Sequence, residues 1–125
     1  MRLIALLTLL AVTACANTVL PVTDGRISTE EEFIATAAGR KVVGPNTTFA
    51  ISKNGRLHGV TNGIEIEGRW VFQDGFFCRS LSKPEGAADD CQVWEIRNRT
   101  LIITREKGQG ERLVYPLPAP ADAVR

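Results

Sequence analysis

From Asn46 to Leu117 the chain alternates apolar and polar residues in short runs, and small turn-forming pairs punctuate it. The clearest run is Ile64–Gln73. Ile64, Ile66, Trp70 and Phe72 alternate with Glu65, Glu67, Arg69 and Gln73, the period-two pattern of a strand with one buried face. Val71 is the one apolar residue on the polar side. Asp74-Gly75 follows, and a two-residue hairpin turn favours this pair because glycine accepts positive φ without a steric cost. The expected register sets Gln73 against Phe76, Phe72 against Phe77, Val71 against Cys78 and Trp70 against Arg79. A Trp70–Arg79 stack in that register is worth on the order of 0.5–1 kcal/mol.

Asn54-Gly55 and Asn62-Gly63 read as two further two-residue turns, joining Thr47–Lys53, Arg56–Thr61 and the central strand. Cys91–Arg97, Thr100–Arg105 and Glu111–Leu117 complete a meander, with a tight turn at Asn98-Arg99 and a long loop over Ser82–Asp90. Carried through, these registers collect Leu57, Gly59, Ile64, Ile66, Trp70, Phe72, Phe77, Leu81, Trp94, Ile96, Leu101 and Ile103 on one face. His58, Glu65, Glu67, Arg69, Gln73, Ser80, Glu95 and Arg97 fall on the other, with Phe49, Ile51, Val60, Val71 and Phe76. Those five apolar residues are where a helix would dock. Ser28-Thr29-Glu30-Glu31 fits a capping box with Ser28 as N-cap. Glu30–Glu32 suit the positive end of a helix, Phe33, Ile34 and Ala37 make a narrow apolar stripe, and Gly39 sits at the C′ position. The expected fold is α+β and mainly β. One N-terminal helix, about Thr29–Ala38, packs on an antiparallel meander of about seven strands, curved or closed into a small barrel.

The start of the chain changes the setting. Met1-Arg2 and an apolar run over Leu3–Val12 read as a signal peptide, too short to span a bilayer. Val12-Thr13-Ala14-Cys15 resembles a lipobox, which makes Cys15 the lipidated first residue; Ala14-Cys15-Ala16 also fits ordinary signal peptidase. The first reading gives Cys15 a purpose. The expected organisation is a signal peptide over 1–14, a tether over 15–27, one domain over 28–117 and a mobile Pro-rich tail over 118–125. Loss of Arg2 leaves fourteen basic and fourteen acidic residues, a formal charge of zero, which argues against nucleic acid as a partner. Membrane contact would then come through a lipid on Cys15. Cys78 and Cys91, outside the cytoplasm, are expected to pair. A loop of that size stabilises by roughly 3 kcal/mol in the chain-entropy model.

Candidate chemistry is sparse. His58 is the sole histidine; the register puts it opposite Glu67 with Arg69 near, an acid–base arrangement in form and a common surface contact in practice. Glu65 and Glu67 share a strand side as glycosidase carboxylates can, with Arg69 and His58 as simple charge partners. The residues offer no metal-ligand spacing. Gly108-Gln109-Gly110 lacks the third glycine and βαβ setting of a dinucleotide site, so no cofactor is expected. Ser80 and Ser82 lack a nucleophile elbow, and the sequons at Asn46 and Asn98 read as turns. Trp70, Phe72, Phe77 and Trp94 line a ligand cavity if the sheet closes around an unfilled interior, and otherwise fill a core.

Phe33 after an acidic helix start, Gly39-Arg40, Asn54-Gly55-Arg56-Leu57-His58-Gly59, Gly68-Arg69-Trp70 and Asp74-Gly75-Phe76-Phe77-Cys78-Arg79, ending at Cys91-Gln92, resemble a family of small secreted bacterial proteins with a G-x-W…D-G-[FY]-F-C-R…C-Q pattern. The likeness runs from about Glu31 to Leu117. That family is of unknown function, and members sometimes carry the label dihydrodipicolinate reductase. Here the label lacks a dinucleotide fingerprint, a second domain and a cytoplasmic address. The expectation is an exported, periplasmic, lipid-anchored binding module, not an enzyme, whose partner is an envelope protein, a glycan or a small apolar ligand. The alternatives are an envelope hydrolase using His58 and Glu67, and an inhibitor or structural lipoprotein presenting Ser82–Asp90.

Overall fold

A computed structural model describes residues 22–118. Nine strands and two short helical segments follow in the order β1 (Gly25–Arg26), α1 (Glu30–Thr36), β2 (Arg40–Gly44), β3 (Thr47–Ile51), β4 (Arg56–Thr61), β5 (Ile64–Gln73), β6 (Phe76–Lys83), β7 (Asp90–Arg97), β8 (Thr100–Thr104), α2 (Arg105–Gly108) and β9 (Arg112–Pro116). Strands β2 to β9 form one antiparallel meander, and β1 pairs with β7. The sheet coils until its two edges nearly meet. At that seam the Tyr115 ring lies where a Cβ on Gly44 would stand, 2.8 Å away, and Arg40 Nη1 donates to the Pro118 carbonyl at 3.2 Å. Gly59 permits the coiling: a Cβ there would lie 2.1 Å from the Thr48 carbonyl, so only glycine lets β3 and β4 approach this closely.

Three of the four tight turns hold the expected register. Thr61 faces Ile64, Gln73 faces Phe76 and Arg97 faces Thr100, and Asn98 and Arg99 both take positive φ as a type I′ turn requires. The fourth differs. Ile51 faces Leu57, because Ser52 pairs with Arg56 around a three-residue connection whose Gly55 is left-handed. One residue of difference inverts a strand. Phe49 and Ile51, expected outside, point inward, and Ile51 is buried.

With Phe49 and Ile51 inside, little apolar surface remains on the outer face to receive a helix. Instead α1 plugs one end of the barrel. Its Phe33 is fully buried, with ring centroids 4.9 Å from Trp70, 5.4 Å from Phe72, 5.1 Å from Phe77 and 5.2 Å from Trp94. Val60 and Val71 stay exposed. The cap sits one residue later than expected: Thr29 is the N-cap and accepts from the Glu32 amide, while Glu32, not Glu31, reaches back to the Ser28 amide.

The N-terminal edge of the domain also moves. Gly25 and Arg26, expected in the tether, pair with Ile96 and Glu95, and Ile27 is buried. This short strand covers β7 where β6 has already ended. The five-residue β2, not expected from the sequence, pairs along the whole of β3 and buries only Val42. Pro118, expected as the first residue of the tail, is buried and bonded; residues 119–125, the expected signal peptide over 1–14 and Cys15 lie outside the described residues. Cys78 and Cys91 face each other across β6 and β7 and are disulfide-bonded, on the face opposite Trp70 and Trp94.

Candidate functional site

Opposite the helix the barrel is open. Strand β6 pairs with β7 only over Phe77–Arg79; Ser80 to Lys83 run on beside β5 alone. The wall therefore parts beyond Arg79 and Asp90. Inside lies a cavity of about 180 Å³ whose walls are mostly apolar, with Phe49, Ile66, Leu81, Trp94, Ile103 and Leu113 among the lining residues. Alternation along each strand explains them, since these are the inward positions of a closed sheet.

The charged groups lining the cavity are two arginines, Arg79 and Arg105. Their setting is a polar chain on the inner face of β7. Trp94 Nε1 donates to Gln92 Oε1 at 3.0 Å, Gln92 Nε2 donates to Asp90 Oδ2 at 2.9 Å, and Arg105 Nε donates to the same oxygen at 3.2 Å. Asp90 Oδ1 accepts from the Glu106 amide at 3.0 Å, which fixes the turn after β8 where Glu106 and Lys107 both take left-handed φ. Burial drives the Asp90 carboxyl upward, but the bonds from Gln92, the Glu106 amide and Arg105 outweigh it and hold the group below its ordinary value. Arg105 also reaches Glu111 at 3.8 Å.

Arg79 is left with less. Among the described residues it makes one hydrogen bond, from Nη1 to the Ala88 carbonyl at 3.4 Å, and no ion pair. Burial draws its guanidinium down from the ordinary value; Asp90 and Asp89 oppose this and Arg105 adds to it. The expected stack with Trp70 does not form. The two are register partners, but Trp70 donates its Nε1 to the Ser52 carbonyl, and the cation–ring contacts fall on Phe76, from Arg26 at 5.0 Å and Lys107 at 5.7 Å.

The residues singled out in the sequence lie elsewhere. His58 faces Glu67 on the outer surface, and Arg69 pairs with Arg56 and Ser80 on the same side. The charge partner of Glu65 and Glu67 is Lys83, 3.4 Å from each, rather than Arg69 or His58. Those carboxylates raise the Lys83 ammonium, Glu65 first. All four aromatic residues pack on Phe33, and of them Phe77 and Trp94 also line the cavity. Asp90, read as the end of the exposed loop, is buried in the polar chain. Among the described residues no group of three or more His, Cys, Asp or Glu side chains could hold a metal ion, and no helix is long and apolar enough to cross a membrane.

Arg79, Asp90 and Gln92 were missed as a set, although a signal existed. The register already put Arg79 beside Trp70, and Gln92 in alternation with Trp94. Polar residues on an apolar face need partners, and following that need leads to the site. Compared with protein-family models, curated proteins and solved structures, the chain matches none.

Proposed function

We propose that this protein is an exported, lipid-anchored envelope domain that acts by binding, and that it takes a small, largely apolar ligand into the open end of its barrel. The observation that supports this reading is the cavity itself. A packed domain of this size fills its interior, and apolar cavities of about 150 Å³ hold a benzene-sized molecule. Here a comparable space is open to solvent, walled by Ile66, Leu81, Ile103 and Leu113, and edged by polar groups that could orient what enters. The Met1–Val12 pattern and Cys15 support export and anchoring, and the Cys78–Cys91 bond suits an oxidising compartment. The resemblance to small secreted bacterial proteins points the same way. His58 and Glu67, on the outer surface, have no part in this reading.

Native mass spectrometry of the processed protein, before and after exposure to small apolar molecules, tests it. A retained molecule is expected with the natural chain and with His58→Ala, and Ile66→Phe, which narrows the cavity, is expected to weaken retention about tenfold or more. Retention unaffected by Ile66→Phe would remove the barrel interior as the site. Intact mass of the same protein reads the lipid on Cys15.

A further inference from the structure

Resting on the reading above, we propose that the ligand is an apolar carboxylate, with a body of about six carbons or one aromatic ring in the cavity and its anionic end held by Arg79.

The argument begins from the supply of charge around the cavity. Arg79 and Arg105 line it, and among the described residues no carboxylate does. Asp90 stands nearest and is fully engaged: one oxygen takes Gln92 and Arg105, the other takes the Glu106 amide. Glu111 reaches Arg105, not Arg79, and does so from an exposed position. Asp89 lines a second cleft that Arg79 shares with Asp90, Glu106 and Lys107, and forms no ion pair with Arg79 within 4 Å. A half-buried guanidinium with five donors and one long bond to Ala88 is under-served. The group has donors to spare beside the cavity, and an arginine fork matches a carboxylate through two parallel bonds.

The apolar body follows from the walls. Phe77, Trp94, Leu81, Ile103 and Leu113 offer no strong acceptor, and the neutral polar side chains of the wall are the hydroxyls of Thr47, Thr61 and Tyr115 and the amide of Gln92, which has already spent its Oε1 on Trp94 and one Nε2 donor on Asp90. Polar decoration on the body of the ligand would find few partners and lose hydration. A short acyl chain or a single ring with the charge at one end satisfies both halves of the site.

Calorimetric titration of the processed protein with hexanoate, benzoate and hexanol separates the claims. Hexanoate and benzoate are expected to bind about tenfold or more tightly than hexanol. In Arg79→Gln the ratio of hexanoate to hexanol affinity is expected to fall toward one, and Arg79→Lys, which keeps the charge and loses the fork, is expected to restore part of it. Equal affinities in the natural chain, or a preference that survives Arg79→Gln, would overturn the assignment of Arg79 while leaving the cavity as a binding site. No binding of any of the three would overturn the binding reading as well. The comparison of acid with alcohol in the unaltered chain stands even if a variant fails to fold.

Discussion

Asp90 keeps its charge at neutral pH although it is almost wholly enclosed, and the reason is local. Three donors converge on its two oxygens, so removing water from the carboxylate costs less than removing the carboxylate from its donors. Its folded pKa therefore lies below the unfolded value near 3.8, and the sign of the linkage follows. Stability from this group is fully present above that unfolded value and is lost as pH falls through the lower folded one. Replacing Asp90 by Asn should cost about 1–3 kcal/mol at pH 7, since Arg105 and the Glu106 amide lose their charged acceptor. Urea unfolding at pH 6 and pH 3 is the check: the natural chain should lose more stability between these values than Asp90→Asn does. Equal losses would mean that other carboxylates govern the acid limb. Both Asp90 and Arg79 were present in the sequence as a loop end and a stacking partner. The register already sets Arg79 beside Trp70 on the apolar face, and the coiled sheet adds the bonds that engage Asp90 there.

Among the elements, the hairpins were the most legible part of the chain. Asn62-Gly63, Asp74-Gly75 and Asn98-Arg99 impose two-residue turns, and together with a Cys78–Cys91 pairing across the long loop they give the facing of Trp70 and Trp94. Asn54-Gly55 is the same dipeptide in a longer connection, and a turn pair by itself does not distinguish the two. Phe49 and Ile51 carried the deciding signal, because only the three-residue connection turns both toward the core. Strand β2 was harder to see, with Val42 as its one buried residue. Helix α1 is legible in Ser28–Glu32 and Phe33, but its seat depends on the register of β3, which the Asn54-Gly55 pair does not settle. The tight approach of β3 and β4 gives a further test. Gly59→Ala would push a methyl into the Thr48 carbonyl and Phe49 backbone, and should destabilise the domain by about 2–3 kcal/mol or more. A thermal midpoint within a degree or two of the natural chain would show that the sheet is not this tightly coiled.

As a whole the molecule is a barrel stopped at one end and open at the other. The stopper is dense: Phe33 meets four aromatic rings, and β1 completes the wall beside it. At the other end β6 and β7 separate, and the interior reaches solvent between Leu81, Arg79 and Arg105. The proposed uptake of a small molecule rests on this difference between the ends and on the inner face being accessible. Methyl chemical shifts recorded with increasing concentrations of a small apolar probe such as hexanol test that most directly. The methyls of Ile66, Leu81, Ile103 and Leu113 should move together and saturate, while those of Val43, Val60 and Val71 on the outer face stay still. Shifts confined to the outer valines, or absent from the inner four at saturating probe, would contradict an interior open to ligands.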